Sequence, residues 1–427
     1  MIRKVLHFIN EYINLISVGC FLGFRQILRA NPWTSILIVF IMTLTFLNLV
    51  VVRGILVGLI EGSSVAYHNN YSSDVLISKQ QARSYLPNSH LILDFLENNP
   101  AVDRISPRYL VSTTIRSSIQ PKDLKPGEVD TVIGTSAAGI DPEIEDSLTH
   151  LSHLMIDGSY LTSSDVDSVV VGSGLMAEYA PARTTLIGFL EGIKVGSKIR
   201  VTINKVPRDV LVKGILRSKV SEVNRRLYFN ASDLKRYLEP QDYNYAEIAA
   251  KVRIGIDPAL VTSTLKAQGV DAYALPQTSE ESQGEFFRNL SMTFGLLGTV
   301  IGSIGLVIAT ITIFIVVFIN AITRRKYIGI LKAIGIRNGS IELAYVMQAF
   351  WYAFLGAAIG CFLVFAVLKP YFDQHPINFP FSDGILVATW DETLMRVYIL
   401  FAVTALAGFI PARMIVRKNT LDAILGR

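Results

Sequence analysis

Apolar residues gather into four long runs, and each predicts a helix able to cross a bilayer, for which about 20 residues suffice. The transmembrane helices are expected at 33–60, 291–320, 343–368 and 394–412. Pro32, following Asn31, suits the first turn of the first helix. Gly298 and Gly302, like Gly356 and Gly360, stand four apart, a spacing that lets helices approach closely in lipid. Asn48 and Arg53 interrupt the first run, and Arg53 sits near its far end, where a long side chain reaches the headgroups. Ahead of that run, Val5, Phe8, Ile9, Tyr12, Ile13 and Ile16 recur at helical spacing among Arg3, Lys4, Arg25 and Arg29. This pattern predicts an amphipathic interfacial helix within 1–32, with an unordered tail as the alternative.

Residues 61–290 read differently. Short strand-like patterns stand at 74–78, 111–119, 130–134, 168–171, 198–203, 210–216 and 246–254. Helical patterns stand at 91–98, at 232–238 with Ser232 or Asp233 as cap, and at 258–268. The fold class is therefore a membrane protein of four transmembrane α-helices, with a large α+β extracytoplasmic domain inserted between helices 1 and 2. That domain divides into two lobes, one from its ends (75–120 and 243–278) and one from its middle (128–240). Cys20 and Cys361 both lie outside it. It needs no disulfide, since more than 200 residues bury a sufficient core. The sequence LISVGC ending at Cys20 is not read as a lipoprotein signal, because Asn10, Glu11 and Asn14 break the apolar stretch before it.

Charge sets the orientation. The segments 1–32, 321–342 and 413–427 carry thirteen Lys and Arg against Glu11, Glu342 and Asp422. The connection 369–393 holds Lys369 against Asp373, Asp383, Asp391 and Glu392. Basic loops stay in the cytoplasm, so both termini and 321–342 are expected there, with 61–290 and 369–393 outside a plasma membrane. Residues 61–290 hold 24 Lys and Arg and 28 Asp and Glu. The basic pI of about 9.0 thus arises at the cytoplasmic face, and no nucleic-acid partner is expected. Half the residues, 51%, are hydrophobic, and the mean hydropathy of +0.41 agrees with a membrane chain.

Candidate chemistry is sparse. Gly172-x-Gly174-x-x-Ala177 follows an apolar strand and has the form of a dinucleotide-binding turn. It lacks the buried βαβ frame that such a turn requires, so the expectation is a strand-to-helix turn using glycine's positive φ. The P-loop pattern G-x-x-x-x-G-K-[ST] is absent, as are G-x-S-x-G and H-E-x-x-H. The six histidines are scattered; His150 and His153 could share a helical face but have no third ligand nearby. No catalytic, cofactor-binding or metal-binding residue is assigned, and the chain is not expected to be an enzyme.

The segment after the second run carries the signal. It reads Arg324-Arg-Lys-Tyr-Ile-Gly329-Ile-Leu-Lys-Ala-Ile-Gly335-Ile-Arg-Asn-Gly-Ser340-Ile. Tyr327, Ile328, Ile330, Leu331 and Ile334 give it more apolar surface than a free loop needs. A docking surface and an interfacial helix held by lipid explain this equally well.

This segment resembles the cytoplasmic connection of the FtsX-like permeases of the type VII ABC superfamily, which include the MacB exporter, the LolC/LolE lipoprotein extractors and FtsX. Their pattern, R-x-x-E-I-G-I-L-[KR]-A-[IL]-G, is followed except that Tyr327 replaces Glu. The sequences Ile410-Pro411-Ala412-Arg413 and Leu421-Asp422-Ala423-Ile424-Leu425 resemble the family's ending. Val212-Lys-Gly214-Ile215 and the turn at 172 are similar to the MacB-type periplasmic core.

The resemblance implies a permease that couples ATP hydrolysis in a cytoplasmic ABC ATPase subunit to movement of the outer domain, for export or extraction of a lipophilic, lipoprotein or peptide cargo. ATP and Mg²⁺ would belong to that partner. Residues Ile328, Gly329, Leu331, Ala333 and Gly335 would dock the ATPase, beside Tyr327, with Arg324 and Arg325 anchoring the segment. A second permease copy or paralogue, membrane lipid and a periplasmic adaptor are the other expected partners. The alternatives are an FtsX-like regulator of a cell-wall hydrolase and a membrane-anchored binding module that needs no ATP.

Overall fold

The computed structural model describes residues 16–27, 29, 31–80, 83–116, 132–179, 188–238, 244–379 and 381–417. The first part of the interfacial helix and the family-like ending at 421–425 lie outside them. The chain forms two compact units, one of residues 1–59, 290–377 and 384–427, the other of 60–289 and 378–383.

The first unit is the membrane bundle. Its spans belong to helices Pro32–Ser72, Phe287–Thr323, Asn338–Gln374 and Trp390–Val416, of 41, 37, 37 and 27 residues. All four outrun the expected spans, because a helix that leaves the hydrocarbon has no reason to end there. At 1.5 Å per residue the first is about 60 Å long, twice a bilayer core. Ile38, Met42, Phe46 and Val50 form a four-residue ladder into the core with Ala309, Ile313, Tyr345, Ala349, Ala353 and Leu400. The glycines make this closeness possible. A Cβ on Gly356 would lie 2.4 Å from Met42 Cβ, and one on Gly360 2.3 Å from Phe46 Cδ1. The short helix Ile16–Ile27 sets its small face on the third span: a Cβ on Gly19 would meet Leu343 at 2.8 Å, and one on Gly23 the Ala344 carbonyl at 2.9 Å. Cys20 and Cys361 are free thiols.

The second unit is built on ten strands among the described residues. Strands β1 (Val75–Lys79), β2 (Val102–Arg116), β9 (Glu247–Val252) and β10 (Ala274–Thr278) make an antiparallel sheet in the order β10-β1-β9-β2. Helices Ser89–Glu97 and Pro258–Ala267 bury Ile92, Leu96, Val261 and Leu265 against Val75, Ile77, Ile248 and Ala250.

The other strands are β3 (Val132–Ile140), β4 (Met155–Gly158), β5 (Ser168–Gly172), β6 (Lys198–Ile203), β7 (Val206–Leu216) and β8 (Arg226–Asn230). The later half of β2 pairs with β3, β3 with β8, β8 with β5, β5 with β7, β7 with β6, and β6 again with β2. Six strands thus close on themselves, with no free edge along that ring. Alternate residues fill it: Ile115, Val169, Val171, Ile199, Val201, Val210, Val212, Leu227 and Phe229. Val170, Tyr228 and Leu216 face outward to a further core with Tyr71, Leu148 and Leu151.

Several expectations change. β2 starts at Val102, before the strand pattern, and carries Pro107. β4, β8 and β10 had no reading from the sequence. The helix expected at 232–238 spans Ala231–Lys235 and is capped by Asn230, whose Oδ1 accepts from Ser232 N at 3.2 Å. Gly172 has φ −70°, and the strand runs into a single 3₁₀ turn, Ser173–Leu175, with no α-helix. Glycine serves there for closeness, since a Cβ on Gly172 would lie 2.3 Å from the Asn224 carbonyl oxygen. A dinucleotide turn would need a helix N-terminus at that place. His150 ends the helix Pro142–Thr149 with φ 53°, and its ring stacks on His153 at 5.8 Å, so the two do not share a helical face.

Candidate functional site

The segment 324–340 forms a second, shorter helix that turns off the end of the second span. The long helix ends at Thr323, Arg324 leaves helical geometry with φ −98° and ψ 17°, and the helix Arg325–Ala333 begins. Ile334 caps it. Gly335 comes next with φ +91°, a conformation that glycine adopts without strain. The Gly335 N–H donates to the Lys332 carbonyl at 3.0 Å and the Ile336 N–H to the Leu331 carbonyl at 3.0 Å. These two bonds make a Schellman stop, with Leu331 and Ile336 packed together on the bundle core as its apolar contact. Arg337 is extended, and the third span starts at Asn338. Three elements are thereby linked by two sharp corners.

The corners decide which way each residue faces. Ile328 is 3% exposed and joins the bundle core, Gly329 is buried beside it, and Leu331 is half-buried on the same side. These three, among the residues expected to dock a partner, pack on the helix's own chain. Arg324 and Arg325 are half-buried at its start, and Arg325, Lys332 and Arg337 all have interaction partners. The opposite face is open. Tyr327 is 70% exposed, Ile330 52% and Ile334 70%, with Ala333 exposed among them and Lys326 and Gly335 at the edges. Positions 327, 330 and 334 follow the three- and seven-residue spacing of one helical stripe.

Ile330 and Ile334 are thus the apolar residues that this helix leaves uncovered. Their signal was present in the sequence as two apolar sets of opposite phase. Which set is inward needed the corners.

No group of three His, Cys, Asp or Glu that could hold a metal ion occurs among the described residues. The titratable cluster of the second unit is structural in form. Arg108, 2% exposed, donates from Nε and Nη2 to Glu145 at 2.9 and 2.8 Å and from Nη2 to the Tyr71 carbonyl at 2.7 Å. Glu247 accepts from Tyr71 Oη at 2.6 Å and from Arg226 Nη2 at 3.3 Å. Burial works against the Glu247 carboxylate, but the adjacent Arg226 and Arg108 charges outweigh it and hold its pKa below the usual value. The charges pair with one another, Arg108 Nη1 lying 3.6 Å from Glu247 Oε2.

Residues 291–420 match the family model "FtsX-like permease C-terminal". Among curated proteins, the chain is 29% identical over 140 residues to the macrolide export ATP-binding/permease protein MacB of Chromobacterium violaceum, covering 31% of this chain and 20% of that protein. It is 23% identical over 276 residues to an uncharacterized ABC transporter permease of Methanocaldococcus jannaschii, covering 63% and 65%. The chain therefore spans a fifth of the first relative and just under two thirds of the second. Among solved structures, the periplasmic region of MacB from Actinobacillus actinomycetemcomitans aligns with TM-score 0.32 and 13% identity, over 50% of this chain and 92% of that one.

Proposed function

Since the chain is an ABC permease of the FtsX/MacB type, with four membrane-long helices and a sheet-rich domain between the first two in sequence, we propose that it is the membrane subunit of an ATP-driven export or mechanotransmission complex. The observation that carries this reading is the two-faced helix Arg325–Ala333. One face is fixed in the bundle core, and the other presents Tyr327, Ile330, Ala333 and Ile334 with no covering chain.

A helix docked only on lipid needs no such fixture. A helix that passes a push from a neighbour into two spans does, because a loose joint would absorb the motion. The partner is a cytoplasmic ABC ATPase, which supplies ATP and Mg²⁺. Its closure tilts this helix, and the second and third spans follow through the corners at Arg324 and Gly335. Both termini then lie in the cytoplasm. The second span exposes Leu296, Val300, Ile304, Ile308, Ile311 and Ile315, a stripe suited to a second permease copy. Cargo is lipophilic, a lipoprotein or a peptide, handled outside or in the outer leaflet.

The test is affinity purification of the full chain in mild detergent, with ATPase assay and mass spectrometry. A stoichiometric ABC ATPase is expected, lost with Ile330→Asp or Ile334→Asp, while thermal stability stays within about 1 °C because both side chains are exposed. Retention of the ATPase in both variants would refute the docking face.

A further inference from the structure

The first span departs from α-helical bonding at Asn48–Val52, where one wide turn is inserted. The Arg53 N–H donates to the Val50 carbonyl, and the Leu49 carbonyl accepts from a side chain. Arg396 of the fourth span supplies it, Nη1 donating at 3.1 Å, while its Nη2 donates to Glu392 at 2.9 Å. Arg396 is 7% exposed. A second guanidinium stands beside it. Arg53 packs against Gly298 of the second span, where a Cβ would meet its Cγ at 2.9 Å. Its Nε is buried with no hydrogen-bond partner among the described residues. The two positive charges act on each other unfavourably, and Glu392 pairs with Arg396.

A buried guanidinium N–H without an acceptor, beside a like charge, is costly, more so at the edge of hydrocarbon. Depth says what can relieve it. Arg53 lies some 20 residues, or roughly 30 Å, beyond the helix start at Pro32, and Arg396 a similar distance before the helix end at Val416. Both therefore sit at the same border of the hydrocarbon layer, opposite the end marked by exposed Trp33 and toward the end marked by exposed Trp390. The groups that populate that border are lipid phosphates. A phosphate offers the oxygens that the planar, forked guanidinium pairs with best.

We propose that Arg53 and Arg396, at the junction of the first, second and fourth spans, form a binding site for a phosphate group, supplied by an anionic phospholipid. The phosphate oxygens take the free Nε of Arg53, and the ligand's negative charge completes a balance that Glu392 alone leaves one short. The site is independent of the docking helix and stands whether or not an ATPase binds.

The test uses the full chain purified in dodecyl maltoside, with melting followed on addition of phosphatidylglycerol or of inorganic phosphate at matched ionic strength. Phosphatidylglycerol at a hundredfold excess over Kd is expected to raise the melting point by about 5–10 °C. Arg53→Met should abolish that rise and melt no lower than the parent without lipid, since it removes a buried donor that has no acceptor. An equal rise with inorganic phosphate alone, also lost in Arg53→Met, would assign the same site to a soluble phosphate compound. No rise with either, or a full rise with phosphatidylglycerol in Arg53→Met, would overturn the proposal. If Arg53→Met does not fold, Arg53→Lys keeps the charge without the fork. Native mass spectrometry then decides: one retained phosphatidylglycerol fewer than the parent supports the site, and an equal number overturns it.

Discussion

Replacing Arg108 by Met removes the centre of the buried charge cluster in the second unit, and its cost follows from the geometry. Arg108 is 2% exposed. Its loss strands Glu145, which keeps only the hydroxyls of Ser106 at 2.6 Å and Thr149 at 2.9 Å. It also removes a cation 3.6 Å from Glu247 and the donor to the Tyr71 carbonyl. Deleting one partner of a buried pair costs about 3–5 kcal/mol, most of it the penalty of a charge left without its counterion. For a domain of this size, 1 kcal/mol moves the melting point by about 2–4 °C, so a fall of about 6–20 °C is expected. The assay is thermal unfolding of the full chain in detergent, followed in the β-sheet band of the infrared amide I region, which the membrane helices do not share. Glu145→Gln alone and combined with Arg108→Met completes a cycle. The double variant should recover about 1–3 kcal/mol relative to the sum of the singles, because no stranded carboxylate remains. A drop below 2 °C for Arg108→Met, or strictly additive costs, would refute the assignment of this cluster as the clamp joining β2, β8, β9 and the helix Pro142–Thr149.

Acid should loosen the same unit. Glu247 has a folded pKa below its usual 4.5, so it binds protons more readily when unfolded; its stabilisation is full above about pH 4.5 and is lost as pH falls through the lower folded value. Melting points recorded between pH 6 and pH 3 should fall more steeply for the parent than for Glu247→Gln. At the turn after β5, Gly172→Ala should cost several kcal/mol, because its Cβ would stand 2.3 Å from a backbone oxygen that cannot step aside. Gly192→Ala should cost only about 1 kcal/mol, since its φ of +71° is strained for Ala but nothing lies within 4 Å. Chemical unfolding of the two variants checks the ranking.

The amino-acid sequence by itself decided the solvent of each segment. Runs such as 292–320 admit no other environment than lipid, and the alternation Val169, Val171 against Ser168, Val170 already marks a strand with two different faces. The basic segments argue the orientation, and the motif at 324–335 carries the family. These are local properties, set by transfer free energies residue by residue.

Closure belongs to another class. That β6 returns to β2 and makes a ring, that β8 slips between β3 and β5, and that Arg108 meets Glu145 and Glu247 all depend on pairing between residues far apart in the chain, which no window of sequence contains. The helix Arg325–Ala333 shows the division most clearly. Its two apolar stripes are nearly equal in composition. Only the corners at Arg324 and Gly335 turn Ile328 into the bundle and leave Ile330 and Ile334 outside. In the same way Arg53, read from the sequence as a side chain reaching for headgroups, lies against Gly298 and near Arg396, neighbours that no window of sequence contains.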